Sequence, residues 1–170
     1  MTPYALTVDA GIGDLRVADH LLHTLAGELA LPEDVFGCTH LVRGDRPRVV
    51  LSFTPPSEPL PHTARERLTA LGYEVSPGVP DAAGRAVLYP GVAALTGTLT
   101  VADVLARSAI DRVTVLGAPG EPDPGTRLVT WDHVRPQWQA GELVLPAMPA
   151  VGGTLVPFEV PAPTPCCADH

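Results

Sequence analysis

Apolar and polar positions come in short bursts separated by turn residues, and the period of the pattern changes from burst to burst. Tyr4–Asp9 reads as a strand. Leu15, Ala18, Leu22, Leu25 and Leu29 then recur at spacings of three and four. That is one stripe of a helix running to about Ala30, with Asp14 as N-cap and Pro32 as stop. Thr39–Val42 and Arg48–Phe53 read as two strands joined through Arg43-Gly44-Asp45-Arg46-Pro47, whose Gly-Asp tip suits a hairpin turn. Thr63-Ala64-Arg65-Glu66 has the form of a capping box. It opens a helix with Ala64, Leu68 and Leu71 on its apolar face and Gly72 as C′ residue. Tyr73–Ser76 returns to strand.

This βαββαβ order predicts a ferredoxin-like arrangement: an antiparallel sheet in the order 4-1-3-2 with both helices on one face. The second half has a different rhythm. Arg85–Tyr89 reads as a strand, Thr100 as the cap of a helix to about Ala109, and Arg112–Leu116 as a strand. A βαβ crossover of this kind makes its two strands parallel. Gly117–Gly125 is a Pro/Gly-rich exposed loop, followed by short strands at Arg127–Thr130, Glu142–Leu145 and Thr154–Val160. The expected class is therefore α+β: a ferredoxin-like first half, then a βαβ unit and short C-terminal strands in a mixed sheet. The expected divisions are 1–80 as the ferredoxin-like subdomain, 81–160 as a β-rich subdomain with one helix, and 161–170 as a Pro-rich spacer and Cys-Cys-x-x-His tail.

Composition narrows the chemistry. The 170 residues suffice for one domain or two small ones. No apolar run reaches the roughly 20 residues of a membrane span, and the first residues lack the basic and apolar regions of an export signal. The expected location is the cytoplasm. The chain has no Lys and no Asn, so Schiff-base and P-loop lysine chemistry are excluded. None of the four serines stands in a Gly-x-Ser-x-Gly elbow. A net charge of −8 disfavours nucleic acid as a partner.

All three cysteines stand close to histidine. Cys38 and His40, at i and i+2 of an extended segment, point to the same face. The tail supplies Cys166, Cys167 and His170. Thiolates and imidazoles in this number suit zinc, with copper or iron as alternatives. A second constellation is Trp131-Asp132-His133-Val134-Arg135-Pro136-Gln137-Trp138, which contains both tryptophans. Here Asp132 can orient His133 as a general base, and Arg135 can clamp an anion. His20 and His23 share a helix face near Arg16 and Asp19, which reads as solvated. Gly11-Ile12-Gly13 reads as a tight turn, and Arg43, Arg46 and Arg48 crowd the hairpin tip.

The reading that follows is a small cytoplasmic metal-binding protein, with zinc held by Cys38, His40, Cys166, Cys167 and His170. Two alternatives stand beside it. One is a non-enzymatic accessory subunit with a protein partner or a homodimer, the other a small-molecule enzyme built on Asp132 and His133.

Overall fold

A computed structural model describes residues Tyr4–Pro161. Among these the chain forms β1 (Leu6–Ile12), α1 (Leu15–Glu28), β2 (Phe36–Val42), β3 (Arg48–Thr54), α2 (His62–Ala70) and β4 (Glu74–Pro77). These are followed by β5 (Arg85–Leu88), β6 (Thr98–Thr100), α3 (Val101–Arg107), β7 (Arg112–Val115), β8 (Arg127–Val129), β9 (Gln137–Gln139), β10 (Glu142–Ala150) and β11 (Thr154–Pro157). The protein is thus a mixed α/β chain with three helices among the described residues and mostly antiparallel strand pairs. No described helix is long and apolar enough to cross a membrane.

The chain divides into two compact units, Met1–Pro90 with Gln137–Gly141, and Gly91–Pro136 with Glu142–His170. In the first, the strands run β4-β1-β3-β2-β5-β9. β1 is antiparallel to β3 and β4, and β2 is antiparallel to β3 and β5. Val8, Val49, Leu51 and Phe53 project from one side of this sheet into a core with Ala18, Leu22 and Leu25 of α1 and Leu68 of α2. Both helices therefore bury their stripes on the same face. Gly37 lets α1 close on β2, since a Cβ there would stand 2.7 Å from Leu22 Cδ2.

The second unit holds β7-β10-β11-β8-β6. β10 is parallel to β7 and antiparallel to β11, and β8 is parallel to β11 and antiparallel to β6. Its buried side chains include Val101, Val104, Ile110, Val113, Leu128, Leu143, Leu145 and Leu155.

Three expectations are corrected here. β5 does not begin a βαβ crossover to β7. It pairs with β2 and β9, and β7 lies parallel to β10. The strand that leads into α3 is the three-residue β6, too short to show a period. Residues 81–90 consequently group with the first unit, whose sheet β5 extends. Second, α2 starts two residues earlier than its capping box implies. Pro61 is the N-cap, and no side chain caps the helix there. Third, Asp19 is not on a solvated face. It is 9% exposed and holds Arg85 of β5 through two hydrogen bonds of 2.7 and 2.9 Å.

Helix ends follow local chemistry closely. Asp14 caps α1 by accepting from the Arg16 and Val17 N–H groups. Thr100 and Asp103 form a reciprocal capping box on α3. Both α1 and α2 end in paired 6→1 and 5→2 hydrogen bonds, Leu31 N–H to Ala26 C=O with Ala30 to Gly27, and Tyr73 to Leu68 with Gly72 to Thr69. The left-handed residue is Gly72 at φ 93° in α2 but Ala30 at φ 49° in α1. An L-residue with a Cβ costs about 1–2 kcal/mol in that region. Ala30→Gly should therefore stabilise the protein by up to about 1 kcal/mol once the added unfolded-state entropy is subtracted. A thermal melt reads this as a rise in Tm of a few degrees.

Candidate functional site

On the helix-free side of the first unit the sheet carries polar residues. Cross-strand partners share a face, so Cys38, His40, Val50, Ser52, Thr7 and Asp9 all project away from α1 and α2. Thr7, Cys38, His40 and Ser52 are covered by the connection from β4 to β5. β4 and β5 are four strand positions apart, about 19 Å at ~4.8 Å per strand. The eight steps from Pro77 to Arg85 reach at most about 26–29 Å. The segment must run almost straight across the sheet, and the opposite face is already taken by helices.

The contacts trace this path. Gly78 N–H donates to Ala5 C=O at 2.7 Å, and Thr7 Oγ1 donates to Gly78 C=O at 2.7 Å. Asp81 then meets His40. At the far end a Cβ on Gly84 would lie 2.8 Å from His40 Cε1 and 3.1 Å from Cys38 Cβ, which shows how closely the strap lies on these two side chains.

Beneath the strap is an ordered chain of polar groups. His40 Nδ1 is 3.0 Å from Asp81 Oδ1, and its Nε2 is 2.7 Å from Ser52 Oγ. With a carboxylate at Nδ1, the neutral ring donates there and accepts the Ser52 hydroxyl hydrogen at Nε2. Burial pushes the Asp81 carboxyl up. The hydrogen bonds from His40 and from the Ala83 N–H outweigh it and hold the group below its usual value. Cys38 completes the cluster. Burial pushes its thiol up to about 12, although Trp138 and Ser52 hydrogen-bond to it. Trp138 in turn packs against Phe36, with ring centroids 5.4 Å apart and planes tilted by 51°.

Serine, histidine and aspartate stand in the order that activates a nucleophile. Access argues otherwise. Ser52 is 1% exposed and His40 4%, and Asp81 rides on the cover itself. Lifting the strap to admit a substrate would remove the carboxylate from the histidine. The arrangement works as a latch that closes the strap onto the sheet.

Cys38 and His40 do share a face, as their spacing predicts, but both His40 nitrogens are engaged and the Cys38 thiol stays protonated at neutral pH. Cys166, Cys167 and His170 lie outside the described residues. β11, which leads to the tail, pairs with β10 and β8 rather than with β2. Among the described residues no three His, Cys, Asp or Glu side chains gather as a metal-holding group.

The Trp131–Trp138 segment is divided between the units. Trp138 belongs to the first, while Trp131, Asp132, His133 and Arg135 belong to the second. Trp131 and Asp132, at φ 55° and 53°, form a tight turn closed by His133 N–H to Thr130 C=O at 3.1 Å. Asp132 is spent on the backbone, accepting from Gly97 N–H at 2.9 Å. The carboxylate that meets His133 is Glu159, with Oε2 at 2.6 Å from Nε2. Sequence reasoning missed Glu159 because it is 26 positions away. β8 and β11 are parallel neighbours, so the turn after one and the segment after the other leave the sheet at the same end. His133 Nδ1 has no partner among the described residues. Arg135 is half-buried, with Nη1 3.5 Å from the Val134 C=O.

No family model matches the chain, and neither does any curated protein or solved structure.

The latch gives a test. Asp81→Ala leaves a buried imidazole N–H without its acceptor and should cost about 1–3 kcal/mol in denaturant unfolding. Because the folded pKa of Asp81 lies below the ordinary carboxyl value, its contribution is complete above that value and is lost as pH falls through the folded pKa. The variant should show a shallower loss of stability with acid than the parent protein.

Proposed function

We propose that this is a metal-binding protein, with zinc as the metal, in which the Cys-Cys-x-x-His tail closes on His133. What supports this reading is the His133–Glu159 pair. Its 2.6 Å hydrogen bond ties Nε2 to a carboxylate while leaving Nδ1 open. A metal-binding histidine is commonly held by a carboxylate on its second ring nitrogen, which fixes the ring and raises its basicity. Glu159 stands two residues before the last described residue, Pro161. The five steps from Pro161 to Cys166 span at most about 17 Å, so the tail thiols start within reach of the imidazole.

Cys166, Cys167, His170 and His133 Nδ1 make a four-ligand set, with Glu159 as the group that orients His133. Four protein ligands close a zinc site, and the role of such a site is structural. His133 takes the place of Cys38 and His40, whose polar atoms are committed beneath the strap. Thiolate ligands suit a reducing compartment, so we assign the protein to the cytoplasm. We read the first unit as ferredoxin-like on its β4-β1-β3-β2 order and its shared helix face.

Elemental analysis of untagged protein purified under reducing conditions should find about one zinc per chain. Cobalt substituted for zinc should show thiolate charge-transfer bands. Glu159→Gln should weaken metal affinity by about 10–100-fold, His133→Ala by at least as much, and removal of residues 162–170 should abolish it. Cys38→Ala should leave affinity unchanged. A metal-free protein, or one whose affinity ignores His133→Ala, overturns the reading.

A further inference from the structure

A trough of about 860 Å³ runs along the first unit beside the turn between β2 and β3, lined by Asp9, Gly11, Arg46, Arg48, Tyr73 and Glu74. It meets a second hollow of about 540 Å³ through the shared residues Asp9, Arg48 and Glu74. Two features of its walls suit a charged ligand. First, Asp9 and Glu74 are direct cross-strand partners on β1 and β4. Like charges placed opposite each other destabilise a sheet. Arg48 answers only one of them, holding Asp9 Oδ2 at 2.7 Å. The carboxylate of Glu74 and the guanidinium of Arg46 have no partner among the described residues.

Second, β1 is bulged at this place. Asp9, Ala10 and Gly11 stand opposite a single residue of β3, between the pairs Val8↔Leu51 and Ile12↔Val49. The bulge is pinned by the Gly11 N–H donating to Asp9 Oδ1 at 3.0 Å, with Gly11 at φ 66°. Bulges interrupt the ladder and re-aim side chains, and they gather beside binding sites.

We propose that this trough binds a small zwitterion, an amino acid or short peptide carrying one ammonium and one carboxylate. The ammonium sits between Glu74 and Asp9, relieving their repulsion. The carboxylate lies on Arg46 and on Arg48 Nη2, since Arg48 Nε holds Asp9 and its Nη1 donates to the Arg46 C=O at 3.3 Å. A guanidinium suits this task because its planar fork matches a carboxylate. The assignment is independent of the metal reading, since it uses only residues of the first unit.

The test is a titration of the full-length ¹⁵N-labelled protein with glycine, triglycine, N-acetyl-triglycine and triglycine amide. The amide signals of Gly11, Gly72 and Tyr73 should move to saturation with an uncapped ligand. Response to glycine marks a free amino acid as the ligand, and response to triglycine alone marks a peptide. Capping either end should weaken binding by about tenfold, the loss of one charged contact. Glu74→Gln should bind triglycine about tenfold more weakly and no longer distinguish the acetylated peptide. Arg46→Ala should do the same for the amide. Both positions are exposed, so unchanged melting temperatures serve as the folding control. No saturable shift, or binding of N-acetyl-triglycine and triglycine amide equal to that of triglycine, overturns the proposal.

Discussion

The first unit depends on one connection, the strap that carries the chain from β4 at one sheet edge to β5 beyond β2. α1 and α2 occupy one face, so the strap must cover the other. Two central strands then bury polar side chains, Ser52 on β3 and His40 on β2, under peptide instead of water. A buried polar group without a partner costs about 1–3 kcal/mol. The chain Ser52–His40–Asp81 removes that cost and at the same time sets the register. A one-residue slip of β2 along β3 would send His40 and Cys38 into the apolar core under α1. The same polar set that locks the strap also excludes alternative pairings.

The strap is held from both sides of the sheet. On its near end Thr7 binds Gly78, on the helix-free face. On its far end Arg85, the first residue of β5, reaches through to the helix face, where Asp19 takes both of its terminal nitrogens and Thr39 Oγ1 lies 3.1 Å from one of them. A buried ion pair is not in itself a source of stability, because desolvation offsets the attraction. Its effect is positional. A charge at the start of β5 has one place in the core where it is satisfied, and that place fixes β5 beside β2 and α1 above both.

This division explains what could be read from the sequence. Helix stripes, the Asp14 and Thr100 caps and the Gly72 terminus are local signals and were legible residue by residue. So was the shared face of Cys38 and His40, which needs only the two-residue period of a strand. What their side chains meet was not legible. Ser52 reaches His40 through strand pairing, and Asp81 through a strap 41 positions further along. The expected αβ grouping of β5 failed for the same reason. Arg85–Leu88 carries no mark of its neighbour, and its charged first residue gave no hint of a partner in α1. Asp132 beside His133 suggested a pair by adjacency alone, whereas the two successive left-handed residues of the turn send Asp132 to Gly97 and His133 to Glu159.

The two histidine–carboxylate pairs show how environment separates roles that look alike in sequence. His40 is enclosed, uses both nitrogens within the fold, and lies next to a thiol that burial keeps neutral. Every atom that could act on a ligand is already satisfied, and opening the cover dismantles the relay. His133 is held at one nitrogen only, at the end of the sheet where β8 and β11 finish. Held at Nε2, its ring keeps Nδ1 in a fixed direction, and a ligand can meet that nitrogen without breaking the contact to Glu159. An imidazole already spent on the fold stabilises it, whereas one with an oriented, unspent nitrogen retains the capacity to bind.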